Sequence, residues 1–424
     1  MAARFSQDVY LVQGLRTPFG RGGGALAHYD ALSLSVPLVQ AMAGQVRAGR
    51  PDLFVWGSVI PNLGWSNLAR EVWLDAGLNP TVPALSAILA CATSMAGAFA
   101  AAGMLGGGID LVLVGGVETM SRPAFGLTAV ATERLMHLMA NDLESAVLEL
   151  GRLSASDFNL PTKGWANRIT GRTMGDHMED TAKIWSITRT DQDAWAYESH
   201  LRAAAGWKRG FFDDLVVALP TLSQDANVRA DTSLERLAAL KPAFDKSPAG
   251  TLTAGNSSPI TDGAAGVWVA NQDGRRRLPD HLPTVRLVDY ELAAVDVREE
   301  GLLMAPAYAI PRLLARHALS FESIDLWEIH EAFAAQVLAN VAAISNPEWV
   351  AAKPKVEANL GQFPRNRVNP NGGSLAIGHP FGATGARDLS QAVKELAALP
   401  QGARAIVSVC ADGGHAAVAL LENI

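Results

Sequence analysis

Two stretches of this chain read as one supersecondary unit written twice, and a duplicated unit leaves few folds open. Asp325-Leu326-Trp327-Glu328-Ile329-His330 echoes Asp52-Leu53-Phe54-Val55-Trp56-Gly57, an aspartate leading a short apolar strand pattern in each case. Farther along each copy a turn residue (Cys91 or His379), a helical pattern and a glycine-terminated strand at 109–116 or 403–414 recur. Two copies of one α/β unit would set corresponding strand-to-helix turns side by side about a pseudo-twofold axis. Cys91 and His379 are then expected to share one site.

The first 120 residues alternate between strand and helix patterns. Apolar runs at 9–14, 53–59 and 109–117 read as strands, and a glycine-rich loop, Gly20-Arg21-Gly22-Gly23-Gly24, follows the first. Periodic segments at 31–43, 67–76 and 92–105 read as helices, the last stopped by Gly106-Gly107-Gly108. A further apolar run, 84–90, ends at Cys91. The alternation predicts an α/β fold with a mainly parallel sheet and helices on both faces. Between 121 and 250 the chain is more polar and mostly helical, with Trp165, Trp185, Trp195 and Trp207 scattered through it. That stretch reads as a loop domain inserted into an N-terminal half that spans 1–120 and resumes at 251–280. A C-terminal half occupies 281–424. Within the insertion, 131–150 reads as one amphipathic helix with Leu135, Leu138, Met139, Leu143, Val147 and Leu150 in a stripe. Its polar face carries Glu133, Asp142, Glu144 and Glu149, the wrong sign for an anionic membrane, so packing onto the core or a partner is expected.

A net charge of -7 argues against general binding to nucleic acid or anionic lipid. Two cysteines in 424 residues exclude a disulfide scaffold and point to a reducing, cytoplasmic setting. A strand pattern begins almost at once, at Val9, so no signal peptide is expected, and Leu421-Glu422-Asn423-Ile424 carries no peroxisomal or retention signal. The Ala-rich run 84–106 holds too much Gly, Ser and Thr for a membrane span, and no integral membrane segment is expected.

The stretch from Asn369 to Arg387 packs five glycines and two prolines around one histidine, His379, just ahead of a helical pattern. Pro380 restricts His379 toward extended geometry, which holds the imidazole at a helix mouth where an anion can be bound or made. An incidental histidine in a glycine-rich connection is the plainer reading, but other residues weigh against it. Cys91 opens a helix, where free N–H groups and the macrodipole favour thiolate. Cys410 ends the strand pattern before Ala411-Asp412-Gly413-Gly414, and His330 directly follows the strand pattern 324–329. Either cysteine alone would pass as a small buried hydrophobe. Two thiols and two imidazoles at strand ends suit acyl transfer with carbon–carbon bond chemistry. One thiolate carries an acyl group, the other thiol moves a proton, and imidazole N–H groups hold an oxyanion. No pair has the close spacing of a metal site, and no metal is expected.

These residues resemble the thiolases, coenzyme A-dependent enzymes that cleave or form 3-ketoacyl-CoA. The resemblance runs nearly the whole length, through Arg16-Thr17-Pro18-Phe19-Gly20, the Cys91 segment and Gly115-Gly116-Val117-Glu118-Thr119-Met120-Ser121. It continues through Asp191-Gln192-Asp193 with Glu198-Ser199-His200, the segment from Gly250 to Ser258, His330-Glu331-Ala332-Phe333-Ala334, Gly378-His379-Pro380 and the Cys410 segment. It implies a five-layer αβαβα thiolase fold, homodimers or homotetramers, and CoA as a substrate with no bound cofactor. By position it implies Cys91 as acyl-carrying nucleophile, His379 as its activator and a contributor to one oxyanion hole, Cys410 as acid/base and His330 as a catalytic partner. Backbone N–H groups at Cys91 and near Asp412 match a second oxyanion hole, with Glu331, Asn371 and Gly378 in support. Met174, Ser258, Ala332 and Phe333 match CoA contacts.

Two departures stand out. Many thiolases have Asn where His330 stands; the His form is similar to the β-subunit thiolases of trifunctional fatty-acid oxidation complexes, which implies a hydratase/dehydrogenase α-subunit as a further partner. Asp412 stands where Gly is frequent, and its carboxylate could raise the Cys410 pKa or point to solvent. The expected activity is degradative cleavage of 3-ketoacyl-CoA. Acetoacetyl-CoA synthesis is the nearest alternative. Decarboxylative ketoacyl synthesis has no need of Cys410, and a lipid carrier or structural protein has no need of the set.

Overall fold

The computed structural model describes residues 4–62, 64–123, 126–159 and 166–424; Trp165 lies outside them. Nine strands carry the architecture: β1 (Tyr10–Val12), β2 (Leu53–Gly57), β3 (Ala84–Leu85), β4 (Leu111–Thr119), β5 (Thr261–Ala270), β6 (Thr284–Ala294), β7 (Leu326–Ile329), β8 (Arg404–Ala411) and β9 (His415–Asn423). Their order is β3-β2-β4-β5-β1 and then β6-β9-β8-β7. The second half therefore repeats the first in mirror sequence, with β1 and β6 meeting antiparallel at the join. The position of β3 beside β2 is matched by Val368, which bridges in parallel to Trp327 on β7. The duplication read from 52–57 and 325–330 is thus a duplication of topology.

The expected mainly parallel sheet is corrected to a mixed one. Between the described strands, parallel pairing joins only β2 with β3, β2 with β4 and β7 with β8, with Val368 adding an isolated parallel bridge. Each half ends with a strand (β5 or β9) that turns back antiparallel, and both strands at the join are antiparallel to their neighbours. Strands buried on both faces read as continuous apolar runs whichever way they point, so the sequence pattern did not distinguish direction. The run 84–90 contributes only the two residues of β3.

The helices α1 (Ala31–Ala43) and α2 (Leu68–Asp75) cover the outer face of the first half. Their starts are fixed by Asp30, whose side chain accepts from the Ser33 N–H, and by Asn67, which accepts from the Arg70 N–H. A central layer is made by α3 (Thr93–Met104), and the outer face of the second half is covered by helices introduced below. The inserted segment supplies α4 (Ala129–Asn141), α5 (Leu143–Leu150), α6 (Met174–Ile184) and α7 (Arg189–Lys208). The single helix expected over 131–150 is therefore two. Asp142, extended at ψ 93, ends α4 and caps α5 by accepting from the Ser145 N–H. Leu135 is buried, whereas Met139, Leu143, Val147 and Leu150 of the expected stripe are exposed.

In the second half, α8 (Ala305–Arg316) and α9 (Ala334–Ile344) form the outer layer around Trp327 and Phe321. A short α10 (Ser374–Ile377) leads through Gly378 to α11 (Phe381–Ala397). Helices α3 and α11 lie against each other between the two halves of the sheet, in a core shared by Cys91, Met95, Ala98, Ala383 and Ala386. The sequence of layers is helices, sheet, the α3/α11 pair, sheet, helices.

Small residues make that central layer. A Cβ on Gly385 would meet the Met95 backbone N at 2.6 Å, and one on Gly116 would meet the Gly382 carbonyl oxygen at 2.2 Å. Ser94 Oγ accepts from the Ala386 N–H at 2.8 Å, stitching one helix to the other. Gly385→Ala is expected to lower stability by about 1–3 kcal/mol through overpacking, measured as a lower urea midpoint with an unchanged slope.

Candidate active site

Because α3 and α11 cross near their starts, the turns that precede them face each other. Cys91 sits in a tight turn in which Leu89 N donates to Thr93 Oγ1 at 2.8 Å and Ala90 takes φ 45. A non-glycine residue in the left-handed region costs roughly 1–2 kcal/mol, and such strain collects at functional turns. On the other side Gly378 has φ 119, and a Cβ there would strike Thr261 Cγ2 at 2.7 Å. Only glycine lets the chain pass this close to Thr261, whose hydroxyl accepts from the His379 N–H at 3.1 Å.

Three of the expected residues converge. Cys91, His330 and His379 bring one sulfur and one ring nitrogen each within 4.8 Å of one another, all buried. The two imidazole centroids are 4.1 Å apart. His330 leaves the end of β7, where its N–H donates to Ser408 O at 2.8 Å, and Cys410 lies two residues beyond Ser408 at the end of β8. The parallel pairing of β7 and β8 thus delivers a histidine and a thiol to the same edge. Cys410 stands close enough to Cys91 for that thiol to be among the causes raising its own pKa. The histidine Nδ1 atoms are both engaged by hydroxyls, Thr384 Oγ1 at 2.7 Å from His379 and Ser374 Oγ at 2.8 Å from His330. Both Nε2 atoms are buried without a partner among the described residues.

Electrostatics correct one expectation. Cys91 is not a ready thiolate: burial pushes its thiol up to about 12, against N–H groups of Asp412 and of Cys91 itself that favour the anion. Those two N–H groups are the pair expected for an oxyanion hole. Burial, assisted by the Arg387 charge, holds His379 down to about 3, and burial, His379 and Arg387 hold His330 well below its usual value. Both imidazoles are neutral at pH 7. Thr384 Oγ1 donates to Pro380 O at 2.9 Å, so it accepts from His379 Nδ1–H and leaves the His379 Nε2 lone pair free as a base. Burial and Cys91 push the Cys410 thiol well above its usual range.

Asp412 is half-buried, and the causes that raise Cys410 are burial, Cys91 and Asp388. The Asp412 carboxylate accepts from Asn167 Nδ2 at 3.0 Å and adds to the causes that raise Cys91. Glu331 supports from behind, accepting from Trp195 Nε1 (3.1 Å), Asn369 Nδ2 (2.8 Å), Ser199 Oγ (2.8 Å) and Leu375 N (3.2 Å). It ties the β7 turn to α7 and to the loop leading to His379. Asn371 is not brought to the thiols; both ends of its amide are used, by Arg209 and by Glu395. Ala332 and Phe333 join Cys410, Met178, Leu252 and Leu303 in one apolar cluster, with Met174 packed against it. Ser258 N donates to Ala332 O at 2.9 Å and so lies alongside. A separate cavity of about 420 Å³, lined by Arg172, His177, Asp180, Arg298, Trp349 and Lys353, includes none of the two thiols and two imidazoles. Three donors such as Cys91, His330 and His379 could also ligate zinc, and a cation there would silence Cys91 as a nucleophile. Sequence reading missed Thr384, Ser374 and Arg387; the only signal was their helical spacing after His379 and one hydroxyl following Gly373.

Comparisons with known proteins agree in direction. A family model described as "Thiolase, N-terminal domain" matches residues 9–273, and "Thiolase, C-terminal domain" matches 281–423. A 3-ketoacyl-CoA thiolase of Photobacterium profundum is 36% identical over 433 residues, covering 100% of this chain and 98% of the relative. A probable 3-ketoacyl-CoA thiolase of Caenorhabditis elegans is 33% identical, covering 100% and 95%. Among solved structures, a Bacillus anthracis acetyl-CoA acetyltransferase superposes with a TM-score of 0.80 at 30% identity, covering 99% of each chain. Human mitochondrial 3-ketoacyl-CoA thiolase in complex with CoA gives 0.79 at 26% identity, covering 99% and 98%.

With the Cys91 thiol held near 12, its alkylation by iodoacetamide in the free protein is expected to climb roughly tenfold per pH unit from pH 7 to 9, as the thiolate fraction does. Peptide mass spectrometry over that range checks this; a plateau below pH 8 would show a preformed thiolate.

Proposed function

Since this chain belongs to the thiolase family, we propose that it is a degradative 3-ketoacyl-CoA thiolase that cleaves its substrate with CoA through an S-acyl Cys91. The observation that carries the reading is the convergence of Cys91, His330 and His379 within 4.8 Å, with Cys410 beside them. His379 Nε2 takes the Cys91 proton as the sulfur attacks the 3-keto carbon. The oxyanion is met by the N–H groups at Cys91 and Asp412. The bond between C2 and C3 breaks, the electron pair passes into the acetyl-CoA enolate, and Cys410 delivers its proton to C2. A thiol held well above its usual pKa stays protonated at pH 7 and can be the acid for such a carbanion. The Cys410 thiolate then draws the proton from incoming CoA, whose sulfur attacks the acyl-Cys91 thioester. Cys91 leaves and recovers its proton from His379. The sum is 3-ketoacyl-CoA plus CoA giving acetyl-CoA and a shortened acyl-CoA, as in fatty-acid β-oxidation.

CoA enters this scheme as a substrate, with Met174, Ser258, Ala332 and Phe333 along its path and no bound cofactor. Two free thiols fit a cytoplasmic enzyme, and no described helix is long and apolar enough to cross a membrane. The assembly is read as a homo-oligomer, with a hydratase/dehydrogenase α-subunit as further partner. The exposed apolar residues of α4 and α5, Met136, Met139, Leu143, Val147 and Leu150, support a docked neighbour. Copurification of a tagged chain from its own cells is expected to bring down that subunit; a homo-oligomer alone counts against it.

CoA-dependent cleavage of short and long 3-ketoacyl-CoA tests the activity. Long substrates are expected to turn over faster, Cys91→Ala to form no acyl-enzyme, and Cys410→Ala to lose about 10²–10⁴-fold in kcat. Turnover of acetoacetyl-CoA alone would move the assignment to the acetyltransferase reaction.

A further inference from the structure

The two imidazoles are held by hydroxyls that point their protons in opposite senses, and α11 commands both. For His379 the Thr384 proton goes to Pro380 O, and Thr384 therefore accepts. For His330 the direction is reversed. Ser374 Oγ receives a hydrogen bond from Arg387 Nη2 at 2.8 Å and lies 2.8 Å from His330 Nδ1. A guanidinium has only donors, so of these two partners His330 Nδ1 alone can take the serine proton.

We propose that Ser374 and Arg387 are positioning residues that lock His330 with its proton on Nε2, making it an N–H donor beside Cys91 while its neighbour His379 remains a base. The relay is shut off from water. Ser374 is fully buried, the Arg387 side chain is 1% exposed, and Arg387 Nη1 lies at ion-pair distance, 2.7 Å, from Asp388 Oδ1 without hydrogen-bond geometry, so Nη2 to Ser374 is its directed side-chain contact among the described residues. Neither the serine nor the guanidinium can turn to solvent for another partner. In the reverse tautomer a lone pair would face any oxyanion formed at Cys91, and the donor would become a repulsive contact. The catalytic consequence rests on the thiolytic reading; the tautomer does not.

Long-range proton–nitrogen correlation spectra of the unliganded, [¹⁵N]histidine-labelled protein read the tautomers directly, with His330→Asn identifying the His330 signals. The expected pattern is Nε2–H for His330 and Nδ1–H for His379. In Ser374→Ala the His330 signals should leave the single Nε2–H form, and kcat for thiolysis should fall about tenfold or more, toward the 10²–10³-fold cost of a lost oxyanion donor, with KM little changed. A parent His330 in the Nδ1–H form, or a Ser374→Ala protein with an unaltered His330 tautomer, overturns the proposal. The parent spectrum decides the matter even if the variant does not fold. A parent with the expected tautomers but no thiolysis would sink the proposed function and leave the relay standing.

Discussion

Everything at the site depends on how closely two helices can approach. Helices α3 and α11 come from different halves, and at their crossing Gly385, Ala383, Ala386 and Ser94 offer almost no side-chain bulk. The hydrogen bond from Ala386 to Ser94 then fixes their sliding as well as their distance. A helix brings its first turn wherever its axis points, so this one contact places Cys91 opposite His379. The sheet halves supply the other two groups from the ends of β7 and β8, whose parallel pairing sets His330 and Cys410 on one edge.

The pocket resolves a chemical conflict by dryness. A buried thiol and a buried imidazole both resist charge, so the resting pair is neutral: burial raises Cys91 and lowers His379. In the proposed reaction an ion pair forms only while an acyl carbon takes the sulfur's electrons, and so needs no lasting charge in an apolar setting. The N–H groups at Cys91 and Asp412 that favour the Cys91 anion are fixed by the fold, and fixed dipoles are what the proposed oxyanion would gain from in a low-dielectric site. Burial is the main cause that keeps both imidazoles unprotonated, and the charge of Arg387 behind the pair adds to it.

Much of this was legible in the chain and some was not, for definite reasons. The echo of 52–57 in 325–330 foretold the paired halves because β2 and β7 are equivalent strands buried on both faces. Strand direction was hidden by that same burial. The break at Asp142 was misread because the apolar stripe continues across it, while the capping bond from Ser145 to its carboxylate is a local event that periodicity does not register. The four side chains proposed to react were singled out by type and by loop position, and three of them, Cys91, His330 and His379, converge in the fold. Their protonation was not legible, since a helix start suggests thiolate while burial, set by distant residues such as Phe99 and Val114 in the same core, decides otherwise. Ser374 and Arg387 are thirteen residues apart and meet only because Gly378 turns the chain back, so no local pattern marks them.

The position of β9 carries a last consequence, for the order in which the molecule is made. Residues 415–423 lie between β6 and β8, inside the second half of the sheet. During synthesis the ribosome delivers Cys91 early, with its own strand neighbours β2 and β4, long before His330, His379 and Cys410. Cys91 is made well before His379, the base proposed for it, and the strand that closes the second half emerges after all of them. Catalytic competence should therefore arrive in one step late in chain growth, and an interrupted translation product would hold a thiol but no enzyme.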